Sequence, residues 1–411
     1  MTTQKRAIVA LCIISSAMLM WNVTSPTLAY IIKSYPDVAE STVTSILTLP
    51  GLVALFVSFI IGPLALKINK KYLLLFAVST TLVYFCIFVI VGSNGPFTML
   101  LVAACFLGIC RGCSTALINS AIAEFLEEEK RAVHIALCSA IMQGVAAVVA
   151  VVGGRIAAGN GGADWPIAHY LGFLTVPALI AFAVLMPKKS DDAKNLGDGK
   201  LNGGAGGYMP EKERLSIPLK IIAIAAVQFT FVICFCAYFL NSSIYIILEH
   251  ELGTSADAGW VSSSYTIFGV VIGLTYRMWG KLLGKWIVQL GYALAAMGMI
   301  AMLTVTTSIV GIWFAAIMIS AGFNLVNPYI SSKVISLSPK KHVPIFLSVY
   351  IGITNLGVFV APGILRVMGG LVGEGLTGIM RFAVIAMFCC AIAAVFLFSV
   401  TGQSQSKTLP E

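Results

Sequence analysis

Twelve long apolar runs constrain this chain more than any other feature, because each can cross the roughly 30 Å hydrocarbon core of a bilayer as a helix of about 20 residues. They fall at about 7–32, 43–66, 72–91, 97–118, 133–156 and 165–185, then 217–248, 259–276, 286–306, 309–330, 343–360 and 377–400. The runs are continuously apolar, whereas strands of a membrane barrel alternate apolar and polar residues over about ten positions. Helices are therefore expected throughout. Only 10% of the 411 residues are charged, against about 25% in soluble domains, so the bilayer has to be the main solvent. The first run follows Lys5 and Arg6 as the core of a secretory signal would. It continues through Trp21 and Asn22, too far for a signal core, and is read as a retained first helix.

Basic residues accumulate in cytoplasmic loops. With the N-terminus inside, 20 of the 26 Lys and Arg fall on the cytoplasmic side, and the opposite topology would put that excess outside. The expectation is a multi-pass protein of the cytoplasmic membrane with both termini in the cytoplasm. The net charge of +9 then reflects topology and contact with membrane lipids, and does not argue for nucleic acid as a partner. The ten cysteines lie in or beside apolar runs and read as small packing residues. His134, His169, His250 and His342 are scattered, so neither a metal site nor a cofactor is expected, and nothing suggests an enzyme.

The one long polar segment, rich in glycine and charge, separates six runs from six. This predicts an N-terminal bundle at residues 1–187, a flexible cytoplasmic linker at 188–216, a C-terminal bundle at 217–402 and a cytoplasmic tail at 403–411. The halves echo one another. Leu117-Ile118-Asn119 matches Leu325-Val326-Asn327, and at the same offset Gly144 corresponds to Gly352. Tyr30-Ile31-Ile32 likewise resembles Tyr245-Ile246-Ile247. A duplication of this kind is the plan of carriers that rock about a site near the midplane.

The loop after the second run reads Gly62-Pro63-Leu64-Ala65-Leu66-Lys67-Ile68-Asn69-Lys70-Lys71, which is similar to the pattern G-x-L-A-D-R-x-G-R-K of the major facilitator superfamily. The chain resembles that family over its whole length. Gly62, Leu64 and Ala65 match, and Lys67, Lys70 and Lys71 keep the charge, while Leu66 stands at the aspartate and Asn69 at the second glycine. The loop after the eighth run keeps Gly273, Gly280 and Lys281 and also lacks the acid. In the family these loops latch helix ends, so Gly62, Lys67, Lys70, Lys71, Gly273 and Lys281 are implied to gate. A second family signature, G-x-x-x-G-P-x-x-G-G of the antiporter branch, survives as Gly153-Gly154 but has Val149-Ala150 at its Gly-Pro position. Gly144, Gly153 and Gly154 are expected to be points of close helix packing. The resemblance implies an all-α polytopic membrane protein, twelve transmembrane helices in two pseudo-symmetric six-helix bundles, acting as a monomer by alternating access.

An ionisable side chain within the bilayer marks function by default, since it needs a partner or water there. All 17 acids read as lying in loops or near helix ends, and Arg111 sits about midway along the fourth run. Its planar guanidinium suits a carboxylate, sulfonate or phosphate. Structural bonding and a part in gating are its other readings. Around it, Asn22, Asn119, Gln143, Gln228, Asn324 and Asn327 offer hydrogen bonds, and Tyr265 and Tyr350 offer walls. Lys333 is a further cation, placed to pair with Glu124 or to reach water, and Pro26, Pro328 and Pro362 are expected kinks. The leading reading is a secondary transporter of a small organic anion, working as a uniporter, or as a symporter or exchanger coupled to a proton, sodium or an exchanged anion. A proton-driven exporter of lipophilic or cationic drugs is the alternative, and a receptor that transports nothing is a third.

Overall fold

The computed structural model describes residues 3–125, 128–187, 219–305, 308–337 and 343–399, and every regular element among them is helical. The linker expected at 188–216 and the tail at 403–411 lie outside the described residues. In chain order the helices are α1 (Thr3–Met18), α2 (Thr24–Ser34), α3 (Glu40–Lys67), α4 (Lys70–Val91), α5 (Phe97–Phe125), α6 (Glu128–Ala157), α7 (Trp165–Ala168) and α8 (Thr175–Leu185). They continue as α9 (Leu219–Ile244), α10 (Ser255–Leu274), α11 (Tyr276–Leu283), α12 (Ile287–Thr304), α13 (Ile309–Leu337), α14 (Val343–Gly370) and α15 (Gly375–Ser399). Among the described residues, eleven segments are long and apolar enough to cross a membrane. The remaining predicted run, the eighth at 259–276, corresponds to α10, whose Ser262, Ser263 and Ser264 lower its hydropathy.

The first span is not the single helix expected from its apolar run. It comprises α1 and α2 with a 3-10 turn, Met20–Val23, between them. Pro26 is not the cause, since it occupies the first turn of α2, where no intrahelical N–H is needed. Pro328 and Pro362 lie inside α13 and α14, which continue past them. The eighth run ends at Leu274 and is followed by a separate short helix, α11.

Two compact units emerge, Met1–Glu211 with Ile246–Ser263, and Lys212–Tyr245 with Ser264–Glu411. In the first unit, α1, α4, α5, α6 and α8 share an apolar core that includes Leu11, Ile14, Leu74, Leu117, Ile118 and Phe182. Small residues bring backbones together there, as expected where lipid supplies no hydrophobic drive between helices. A Cβ on Gly154 would stand 2.2 Å from the Ser255 carbonyl oxygen, and one on Gly259 would stand 2.4 Å from that of Ala150. Ser255 Oγ donates to the Gly154 carbonyl, and the Arg155 guanidinium lies 5.6 Å from the Trp260 ring centre. Gly153 meets Val23 equally closely. Gly144 does not pack as expected, since a Cβ there would meet nothing within 4 Å. At a neighbouring turn the Tyr35 hydroxyl, raised above its usual pKa by burial, donates to the Gly92 carbonyl over 2.8 Å.

Gly154→Ala is therefore predicted to destabilise the first unit by about 1–3 kcal/mol, the usual effect of overpacking. Gly144→Ala should leave the melting temperature of the purified protein unchanged. Thermal unfolding of the two variants side by side checks the contrast.

Candidate functional site

In the first unit, the turn that breaks the first span carries Trp21 against Arg111. Arg111 lies near the middle of α5, half-buried, with its guanidinium carbon 5.0 Å from the Trp21 ring centre. A guanidinium stacked in this way uses its face, while its N–H donors radiate along its edge, in the plane where a carboxylate or phosphate binds. No Asp or Glu occurs between Glu40 and Glu124, so neither α4 nor the part of α5 up to Arg111 offers a carboxylate.

The turn is pinned on both sides. Asn22 Nδ2 donates to the Ala146 carbonyl of α6 at 3.0 Å. Thr24, the first residue of α2, hydrogen-bonds Tyr84 and lies 3.2 Å from His169 Nε2, and His169 Nδ1 is 2.9 Å from the Trp165 carbonyl. A carbonyl oxygen only accepts, so Nδ1 carries the proton. In the neutral ring Nε2 then accepts from the Thr24 hydroxyl, whose oxygen accepts from Tyr84. His169 also stacks on Phe88 with centres 4.7 Å apart, and Tyr84 and His169 are fully buried. Sequence reasoning passed over this chain because a lone histidine in an apolar run carries no spacing signal. Of the other residues singled out in this unit, Gln143 is half-buried on α6, and the Asn119 side chain lies outside the described residues.

At the loop that the family resemblance implied to be a latch, a lysine pairs with an acid from another helix. Asn69, at the family's glycine position, caps α4 by accepting from the Lys71 backbone N–H at 3.0 Å. Lys70 Nζ is 2.8 Å from Glu124 Oε2 and donates to the Ser120 carbonyl at 3.1 Å, while Lys71 Nζ donates to the Met186 carbonyl at 2.7 Å. Glu124 therefore pairs with Lys70, and Lys333 lies 5.5 Å from the ring of its own neighbour Tyr329. Gly62 and Lys67 lie on α3, with their surroundings outside the described residues. The second loop is open by comparison: a Cβ at Gly273 or Gly280 would meet nothing within 4 Å, and Lys281 is exposed.

The second unit brings together neutral groups. Gln228 Nε2 donates to Asn327 Oδ1 at 2.9 Å, and the Tyr350 hydroxyl donates to the same oxygen at 3.4 Å. Gln228 Oε1 is buried and has no donor among the described residues. Asn324 Nδ2 donates to the Ser320 carbonyl at 2.9 Å, and Ser320 Oγ donates to the Tyr265 carbonyl at 2.6 Å. Tyr265 packs near Phe235 and Tyr238, with ring centres 5.8 and 5.7 Å away. The hydroxyl of Tyr238, a residue that the sequence did not single out, is buried with no partner among the described residues.

A family model described as Major Facilitator Superfamily matches residues 10–362, and again 227–411. The chain belongs to the Major Facilitator Superfamily. As a member of that superfamily it is a multi-pass membrane transporter with the two-bundle fold, and its partners are a small-molecule substrate and lipid. No curated protein sequence matches it. Among solved structures, a bacterial homologue of the human lysosomal transporter Spinster, inward-facing and unoccupied, superposes with a TM-score of 0.68 at 12% identity over 97% of this chain and 96% of that one. An auto-inhibited peptide transporter of the POT family gives 0.69 at 12% identity over 99% of each chain, and the nucleoside transporter NupG gives 0.67 at 12% over 96% and 100%. At such identities these superfamily relatives share the fold alone.

Two outcomes follow from the polar bonds. Thr24→Val, which keeps shape but strands Tyr84 and His169, should destabilise the protein by about 1–3 kcal/mol for each buried group left unpaired, as read by thermal unfolding. For the latch, a double-mutant cycle of Lys70→Gln and Glu124→Gln should give a coupling of up to about 1 kcal/mol, because both side chains keep some exposure (20% and 17%).

Proposed function

We propose that the protein transports a small organic anion of carboxylate type across the cytoplasmic membrane by alternating access, with both termini in the cytoplasm and Arg111 as the positive site. The observation that carries this reading is a cation held on an aromatic face near the middle of α5, in a stretch of chain without acids. The stacked Trp21 orients the guanidinium, and the pinned turn holds Trp21. A proton-driven exporter of cationic drugs would draw on an acidic residue within its spans, and Asp and Glu are absent from 41–123 and again from 258–373. The coupling partner we propose is a proton carried on the substrate, a sodium ion held by neutral oxygens, or an exchanged anion, since none of these needs a carboxylate in the spans. Gln143 and Asn119 in the first unit, and Gln228, Asn327, Tyr350, Tyr265 and Asn324 in the second, are proposed as neutral contacts for the body of the substrate. The Glu124–Lys70 pair is proposed as part of the gating machinery.

In proteoliposomes supplied with radiolabelled carboxylates, Arg111→Gln should abolish saturable uptake or weaken apparent affinity roughly 10- to 150-fold, the worth of a charged hydrogen bond. Arg111→Lys, which keeps the charge and loses the fork, should retain part of it. Wild-type uptake by Arg111→Gln would contradict the assignment.

A further inference from the structure

The second unit carries a groove of about 420 Å³ between α12 and α15, lined by Leu282, Trp286, Leu290, Ala293, Phe388 and Ile392. Its wall on α15 runs from Phe388 to Val395, a rise of about 10 Å along the helix axis. The groove opens beside α11, a short helix of sequence Tyr-Arg-Met-Trp-Gly-Lys-Leu-Leu. Alternation of basic and apolar residues over so short a helix, between two membrane spans, is the pattern of a segment lying in the membrane interface. Leu282 on α11 and Trp286 in the turn after it are exposed beside Lys281, which is also exposed. Tryptophan at that position is a head-group-level anchor.

One polar group interrupts the apolar lining. Gln289, 8% exposed and in the first turn of α12, donates from Nε2 to the Ala394 carbonyl of α15 at 3.2 Å, which ties the two helices together at the groove. Its Oε1 is buried and has no donor among the described residues. A buried acceptor left without a donor is unfavourable, so an occupant that brings a hydroxyl to it gains more than an alkyl chain alone would.

We infer that this groove is a binding site for one anionic phospholipid whose head group carries hydroxyl donors, as phosphatidylglycerol does. The acyl chain lies along Ala293, Phe388 and Ile392. The phosphate sits at Lys281, in a segment whose sequence also includes Arg277 and Lys285, and the head-group hydroxyl reaches Gln289 at the depth of the first helical turn. Charge complementarity selects this occupant over a zwitterionic lipid. The site belongs to the second unit and does not depend on the identity of the transported substrate.

Native mass spectrometry of the full-length purified protein, offered equal amounts of phosphatidylglycerol, phosphatidylcholine and phosphatidylmethanol with the same chains, tests the inference. Phosphatidylglycerol should be retained about fivefold better than phosphatidylcholine, the effect of one lysine at an anionic surface. It should also exceed phosphatidylmethanol, which is anionic but lacks the hydroxyl. Lys281→Gln should remove most of the preference over phosphatidylcholine. Ala293→Phe, which fills the groove, should abolish retention of the single bound lipid. Equal retention of the three lipids by the wild type would overturn the site, as would a preference that survives both substitutions, because the lipid would then be bulk annular lipid. Should Ala293→Phe fail to fold, the exposed Lys281→Gln decides, since an unchanged preference in that variant contradicts the proposal.

Discussion

The guanidinium of Arg111 stands 5.0 Å from the centre of the Trp21 ring, near the middle of a helix that crosses apolar surroundings. A charge at such a depth has to be held by partners or water. The way the chain holds this one organises the rest of the first unit. Trp21 meets Arg111 of α5 at the break in the first span, and side chains beside it tie the turn to neighbouring helices. Asn22 answers toward α6, and the Tyr84, Thr24 and His169 chain answers toward α4 and α7. The stacking partner of the cation is thus positioned by hydrogen bonds to three other helices.

Close packing supports the same arrangement. Gly153 lies against Val23 in the turn itself, so the helix that receives the Asn22 bond also admits the turn only where it lacks a side chain. At the far end of α5 the loop before α4 shows how a charge pair can draw on a different acid. Leu66 has replaced the family's acid, yet Lys70 finds a carboxylate in Glu124 on α5, and Asn69 replaces a glycine by supplying a cap. A charge pair of this kind needs only an oxygen within reach, whichever helix provides it.

Span number and helical class were legible from the length of the apolar runs, because the bilayer leaves the backbone little choice. The second apolar run appears as the one helix α3, Glu40–Lys67, near the limits its hydropathy implied. The break in the first span was not legible, since Met20, Trp21 and Val23 are as apolar as any helix interior and Pro26 drew attention to the wrong residue. Arg111 stood out because it is a charge in an apolar run, and its contact with Trp21 could not be read because the two are 90 residues apart in the chain. Asn22, proposed from sequence as a ligand contact, donates to a helix backbone in the structure, and polarity alone cannot separate those two uses. Gly144 fails as a packing glycine for a similar reason: a small residue permits close approach, and only the neighbouring helix decides whether it occurs.

The central claim is that a positive site selects the cargo. The most direct measurement is thermal stabilisation of the purified protein by a matched panel of small carboxylates and sulfonates, their neutral amides and lipophilic cations, because a ligand that binds the native state raises its melting temperature. The account predicts concentration-dependent stabilisation by members of the anionic set and none by their amides. Stabilisation by the cations or the amides, with the anions inert, would contradict it.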